Sequence, residues 1–129
     1  MATGNLRIGV IGAGRHGQRY LKHARHDVDG MEPVACCRRD AAAGAEVAAR
    51  FGCRHLAASS ELIADPQVDA IVVCTPPSSH FALARDVLAT GKPLLLEKPA
   101  TISVAAGRRS RIDVDALTFV RYAVPIVIG

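Results

Sequence analysis

Tryptophan is absent and aromatic residues make up only 4% of the chain, so a core must be assembled from aliphatic side chains. No apolar run approaches the roughly 18 residues that a membrane-crossing helix needs. The opening M-A-T-G-N-L-R-I carries no apolar stretch of the secretory type and enters a strand-like segment at once. The expectation is a cytoplasmic chain with no membrane partner. Charge of one sign is also lacking in bulk. Sixteen Lys and Arg against twelve Asp and Glu leave +4, which suits an anionic ligand and is too little to argue for nucleic acid. Only Arg108, Arg109 and Arg111 cluster, with no aromatics between them to stack on bases. C-x-x-C spacing is missing too. Cys36 and Cys37 are neighbours in a strand-like run and point to opposite faces, so they cannot chelate one metal together, and no metal site is expected. All four cysteines are expected as reduced thiols.

Half of the residues are hydrophobic, and 129 residues suffice for one folded domain with a real core. Strand-like and helix-like segments alternate. The first strand is expected over Arg7–Ile11 and a helix from Arg15 to about His26. Pro33–Cys37 reads as the second strand. Asp40 is placed to cap a helix running to about Phe51, with Gly52 to end it. A short strand over Cys53–Leu56 precedes a brief helix, capped by Ser59 or Ser60 and stopped by Asp65-Pro66. Asp69–Thr75 is continuously apolar after its first residue, as a strand buried on both faces would be. Ser78 or Ser79 opens a helix to about Thr90, with Phe81, Ala84 and Leu88 on one face and Gly91 closing it. Pro93–Glu97 is the next strand. A weakly patterned helical stretch over residues 100–121 and a final strand over Val124–Ile128 complete the reading. Such alternation with short links predicts an α/β fold, a Rossmann-type doubly wound parallel sheet in a single domain over residues 1–129.

The sharpest local signal is G-x-G-x-x-G at Gly12, Gly14 and Gly17, placed between the first strand and the first helix. Gly12 permits the tight turn, Gly14 lets a pyrophosphate approach the backbone, and Gly17 lets helix and strand pack closely. Arg15 and His16 stand in the same loop, where helix N–H groups and the positive dipole end face an anion. A dinucleotide is the expected ligand. An NAD site usually carries an acid about 20 residues past the glycines, to accept a hydrogen bond from the ribose 2′-hydroxyl. Arg38 occupies that place, followed by Arg39. A guanidinium cannot accept that bond, but it grips a 2′-phosphate through paired N–H donors. A contact of that kind is worth roughly 1.5–3 kcal/mol, about one to two decades of affinity. NADP is favoured over NAD on this reading, with Arg39 or Arg15 adding to the grip. Asp40 is the competing partner for a 2′-hydroxyl, and Arg38 and Arg39 as plain solvated charges remain an alternative.

Two further segments follow strands: C-T-P-P-S-S-H at Cys74–His80 and E-K-P at Glu97–Pro99. Together with G-A-G-R-H-G they resemble the Gfo/Idh/MocA oxidoreductases, the glucose–fructose oxidoreductase and inositol dehydrogenase group. The resemblance covers Leu6 to about Pro99, and more loosely the run to Gly129. It implies a domain that binds NAD(P) for hydride transfer to or from a sugar- or cyclitol-like hydroxyl. It places Thr75, Pro76 and Pro77 beside the nicotinamide ribose, His80 close by, and Glu97 and Lys98 at the carboxyl end of their strand against the cofactor, with Lys98 contacting the substrate near the nicotinamide. Lys98 matches the active-site lysine of the family, and Lys98–Pro99 is a candidate cis bond. Read alone, His80 is a helix-start residue. Members of the family run far longer, with a second domain that carries the substrate pocket and an acid/base partner for the lysine. The resemblance therefore implies a chain cut short of that domain, with cofactor binding, little turnover by itself, and exposed apolar surface that favours oligomers. A small-molecule, sugar-like substrate is the expected partner. The alternative is a non-catalytic dinucleotide-binding module or partner subunit, for which E-K-P has no explanation. A methyltransferase built on S-adenosylmethionine shares the glycine loop, but expects an acid where Arg38 stands.

Overall fold

The structure, a computed structural model, describes residues 4–97. Five strands form one parallel sheet: β1 Leu6–Ile11, β2 Met31–Cys37, β3 Arg54–Leu56, β4 Ala70–Val73 and β5 Leu94–Leu96. Their spatial order is β3-β2-β1-β4-β5. The chain winds outward from β1 to β3, crosses back, and winds the other way from β4 to β5. The four helices are α1 Arg15–Lys22, α2 Ala41–Phe51, α3 Ser59–Ala64 and α4 His80–Ala89. Gly17 of α1 lies against Val10, whereas Gly9 faces Leu62 of α3 and Val68, so α1 and α3 cover opposite faces of β1. Right-handed connections then put α2 with α1 and α4 with α3. This is the doubly wound Rossmann-type arrangement that the alternation predicts. The core is aliphatic, centred on Val10, Leu21, Leu62, Ile71, Val73 and Val87, with Phe51 the one buried aromatic among the described residues.

Several local expectations hold in detail. Asp40 caps α2 by accepting the Ala43 N–H at 3.1 Å, and Gly52 ends it in the left-handed region at φ 69. Others are corrected. The helix expected to His26 leaves α-geometry after Lys22 and closes in a wide π-type turn over His23–Asp27, where Val28 N–H reaches back to His23 O. Asp27 binds His23 Nδ1 at 2.7 Å and lies 3.7 Å from Lys22 Nζ, which holds that turn.

β2 begins two residues earlier than expected. Pro33 lies inside it, at a point where β3 has not yet begun to pair and where the register with β1 slips between Ile8 and Gly9. A residue without an N–H is tolerated there. Neither Ser59 nor Ser60 caps α3. Ala58 holds that place, and Glu61 accepts its N–H at 3.2 Å. α4 buries His80, Ala84 and Val87 rather than a face centred on Phe81 and Leu88, because His80 turns inward. The helical stretch over 100–121, the strand Val124–Ile128, the arginines at 108, 109 and 111, and Lys98–Pro99 lie outside the described residues.

Candidate functional site

Ligands in doubly wound sheets collect at the carboxyl ends of the strands, where the winding reverses. Here that point lies between β1 and β4, and the glycine loop sits on it. Gly12 has φ +88, and a Cβ there would lie 2.8 Å from the Cys74 carbonyl carbon and 2.9 Å from Thr75 N. The amides of Gly12 and Ala13 both donate to Cys37 O, at 2.9 and 3.0 Å. The loop is thus fastened to the ends of β2 and β4 at once. At Gly17 a Cβ would run into the carbonyl oxygen of Gly12.

Gly14 is different. Its φ of −83 suits any residue, and a Cβ built there meets no atom within 4 Å. The fold has a reason of its own for Gly12 and for Gly17, and none for Gly14. What a Cβ would fill at Gly14 is open space in front of the α1 N-terminus. Gln18 N–H makes the first bond of that helix, to Gly14 O at 2.9 Å, so the amides of Arg15, His16 and Gly17 precede its ladder. Among the described residues no side chain caps them, no acid stands in the first turn, and Arg15 and His16 are exposed. This donor set and its charge fit the pyrophosphate of a dinucleotide.

Arg38 and Arg39 follow β2 directly, one residue past the Cys37 carbonyl that anchors the loop. Arg38 is half-buried and Arg39 exposed, and among the described residues no carboxylate pairs with either. His55 donates from Nε2 to Arg38 O at 3.2 Å and fills the space that Gly44 leaves on α2. Asp40 spends one carboxylate oxygen on its helix cap.

Past β4, the Thr75-Pro76-Pro77 turn is pinned from two sides. Ser79 Oγ is bonded to Thr75 Oγ1 at 2.6 Å and to Pro76 O at 2.8 Å. His80 is 1% exposed and donates from Nε2 to Thr75 O at 2.7 Å. His80 therefore holds the turn from beneath. Cys74, between Val73 and this turn, is pushed up to about 12 by burial and then by the charge of Glu97, so it stays a thiol.

Glu97 continues β5, its N–H donating to Val73 O at 3.0 Å. Its carboxylate accepts the hydroxyl of Tyr20, from α1, at 2.7 Å. The sequence marks Glu97 and not Tyr20, whose partner lies 77 positions away. Gly12, Gly14, Arg15, His16, Gly17, Arg38, Arg39, Thr75, Pro76, Pro77 and Glu97 are thus all placed at the carboxyl edge of the sheet. Lys98 lies outside the described residues.

Below this edge, on the α1 side of the sheet, an apolar groove of about 720 Å³ runs between α1 and β5. Leu6 and Val28, 40% and 43% exposed, are the exposed large hydrophobics of the described chain, and both line it. No described helix is long and apolar enough to cross a membrane.

A glycine loop at the reversal point of a parallel sheet, leading into an uncapped helix, defines a nucleotide-binding Rossmann domain. Residues 6–111 match the model of the oxidoreductase family with an NAD-binding Rossmann fold, Gfo/Idh/MocA, and the chain belongs to that family. It is 37% identical over 102 residues to inositol 2-dehydrogenase 1 of Saccharopolyspora erythraea, covering 78% of this chain and 30% of that protein. It is similar to the structure of myo-inositol dehydrogenase from Lactobacillus casei in complex with NAD(H) and myo-inositol, with TM-score 0.79, 27% identity, and 88% and 34% of the two chains covered. It is also similar to biliverdin reductase from Synechocystis with biliverdin and NADP+, at TM-score 0.78 and 28% identity over 86% and 35%. The chain spans about a third of the length of the curated relatives it matches.

Proposed function

We propose that this chain holds NADP(H) and forms the cofactor half of an oxidoreductase that moves hydride between the hydroxyl-bearing carbon of a sugar- or cyclitol-like substrate and the nicotinamide. The observation that carries the reading is Gly14, a glycine that neither backbone angle nor internal packing requires. Its bare backbone and the amides of Arg15, His16 and Gly17 receive the pyrophosphate. Arg38, backed by Arg39, receives the 2′-phosphate of the adenosine ribose. Both cofactors occur among the similar structures, so the preference for NADP rests on Arg38 and the arginine that backs it.

Thr75, Pro76 and Pro77 line the nicotinamide side, with His80 fixing their turn. When bound, the nicotinamide supplies the hydride acceptor or donor. Lys98, next after Glu97, orients the substrate hydroxyl and lowers its pKa as hydride leaves. Hydride transfer also needs the substrate held in near-attack geometry, which one half-site does not provide. The chain by itself therefore binds cofactor with little turnover. In this reading the groove under Leu6 and Val28 is a docking surface through which copies of the 129-residue chain associate.

A non-catalytic nucleotide-binding module is the second reading. Glu97-Lys98-Pro99 favours the first. Thermal unfolding with and without NADP+ tests the proposal. Saturating cofactor raises the Tm of the wild type and leaves Gly14→Val unmoved. A folded wild type whose Tm ignores the cofactor would contradict it.

A further inference from the structure

The Tyr20–Glu97 bond is the one side-chain hydrogen bond among the described residues that joins α1 to the end of β5. Its two ends serve opposite ends of the site. Tyr20 stands on the helix whose N-terminus faces the pyrophosphate position, and Glu97 immediately precedes Lys98. Both residues are half-buried, at the rim of the apolar groove, where an unpartnered carboxylate or phenol would be poorly solvated. A phenol donating to a carboxylate is a charge-assisted bond, short and directional. The main chain of Glu97 is already held by Val73 O, so the phenol removes the remaining freedom of its side chain.

We infer that Tyr20 is a positioning residue: through Glu97 it registers the nicotinamide side of the site against the helix that holds the phosphates. This rests on the dinucleotide reading above. The adenosine end, built on Gly14 and Arg38, does not depend on the bond.

The test is calorimetric titration of the 129-residue chain with two ligands, NADPH and 2′-phospho-ADP-ribose, which lacks the nicotinamide. Tyr20→Phe weakens NADPH by roughly three- to tenfold, the scale of one lost hydrogen bond, and leaves 2′-phospho-ADP-ribose within about twofold. Glu97→Gln, whose amide oxygen still accepts from the phenol but without the charge, weakens NADPH less than Tyr20→Phe does and leaves 2′-phospho-ADP-ribose within about twofold. Glu97→Leu reproduces Tyr20→Phe, and the double variant is no worse than either alone. Should Tyr20→Phe fail to fold, the two Glu97 variants carry the comparison. Equal weakening of both ligands would show a merely loosened helix and overturn the inference. Unchanged affinity for NADPH would overturn it as well. A folded wild type that binds neither ligand would remove the dinucleotide reading, and this inference with it.

Discussion

Gly17 lies directly against the carbonyl oxygen of Gly12, with no space for a Cβ between them. The contact locks α1 onto the end of β1, the packing role that the motif assigns to Gly17 and not to Gly14. Gly17→Ala forces helix and loop apart, a cost of roughly 1–3 kcal/mol for overpacking, read as a fall in Tm. Gly14→Ala adds a methyl group to empty space, so its Tm stays close to the wild type while NADPH affinity falls by tenfold or more. Equal Tm losses would mean that both glycines serve the fold.

Arg7 and Asp69 tie the amino end of β1 to that of β4. Asp69 Oδ2 accepts Arg7 N at 2.8 Å and Nε at 3.0 Å, and Oδ1 accepts Nη2 at 3.0 Å. The side-chain bonds first, and then the backbone bond, hold the Asp69 carboxyl below the ordinary range. A depressed carboxyl stabilises the fold above about pH 4, its unfolded range, and loses that contribution as pH falls through the folded value. Asp69→Asn therefore lowers Tm at neutral pH and narrows its own gap to the wild type below pH 4. A gap constant from pH 7 to pH 3 would count against the bond.

Tyr20 offers the alkaline counterpart. Burial first, then the hydrogen bond and charge of Glu97, pushes its ionisation above the usual tyrosine range. A raised phenol stabilises the fold below about pH 10, its unfolded value, and the contribution fades as pH rises through the folded one. In a near-ultraviolet titration of the folded chain, Tyr20 lags behind the ordinary range. The lagging step disappears in Tyr20→Phe, and its persistence there would assign it elsewhere.

Leu6 and Val28 frame the groove on the α1 side of the sheet. Replacing both by lysine places charge on the apolar rim. The double variant is expected to shift the chain toward the monomer in sedimentation while its NADPH affinity stays unchanged. Unaltered association would locate the contact on another surface.

The alternation of elements, the glycine loop, the Asp40 cap and the strand that ends before Glu97 are all local in sequence, and they are legible there. What escaped is what depends on which partner a side chain or strand finds in the folded chain, near or far in sequence. The π-type turn is held by Asp27 on His23, the start of β2 by pairing of Met31 and Glu32 with Leu6 and Arg7, and the α3 cap by Glu61 on Ala58. The inward turn of His80 follows from its bond to Thr75 O, which moves the buried face of α4 away from Phe81. Tyr20 carries no motif at all. Its meaning comes from a carboxylate brought to it by the fold.

The central claim is that the glycine loop and Arg38 form a working dinucleotide site with a preference for the 2′-phosphate. The most direct measurement is a titration of the purified chain with NADPH and with NADH, followed by nicotinamide fluorescence at low and moderate salt. NADPH is expected to bind at least tenfold more tightly, with the margin shrinking as salt rises and vanishing in Arg38→Asp. Equal affinities would retain the site and remove the role of the arginine. Binding of neither cofactor by a folded chain would contradict the account.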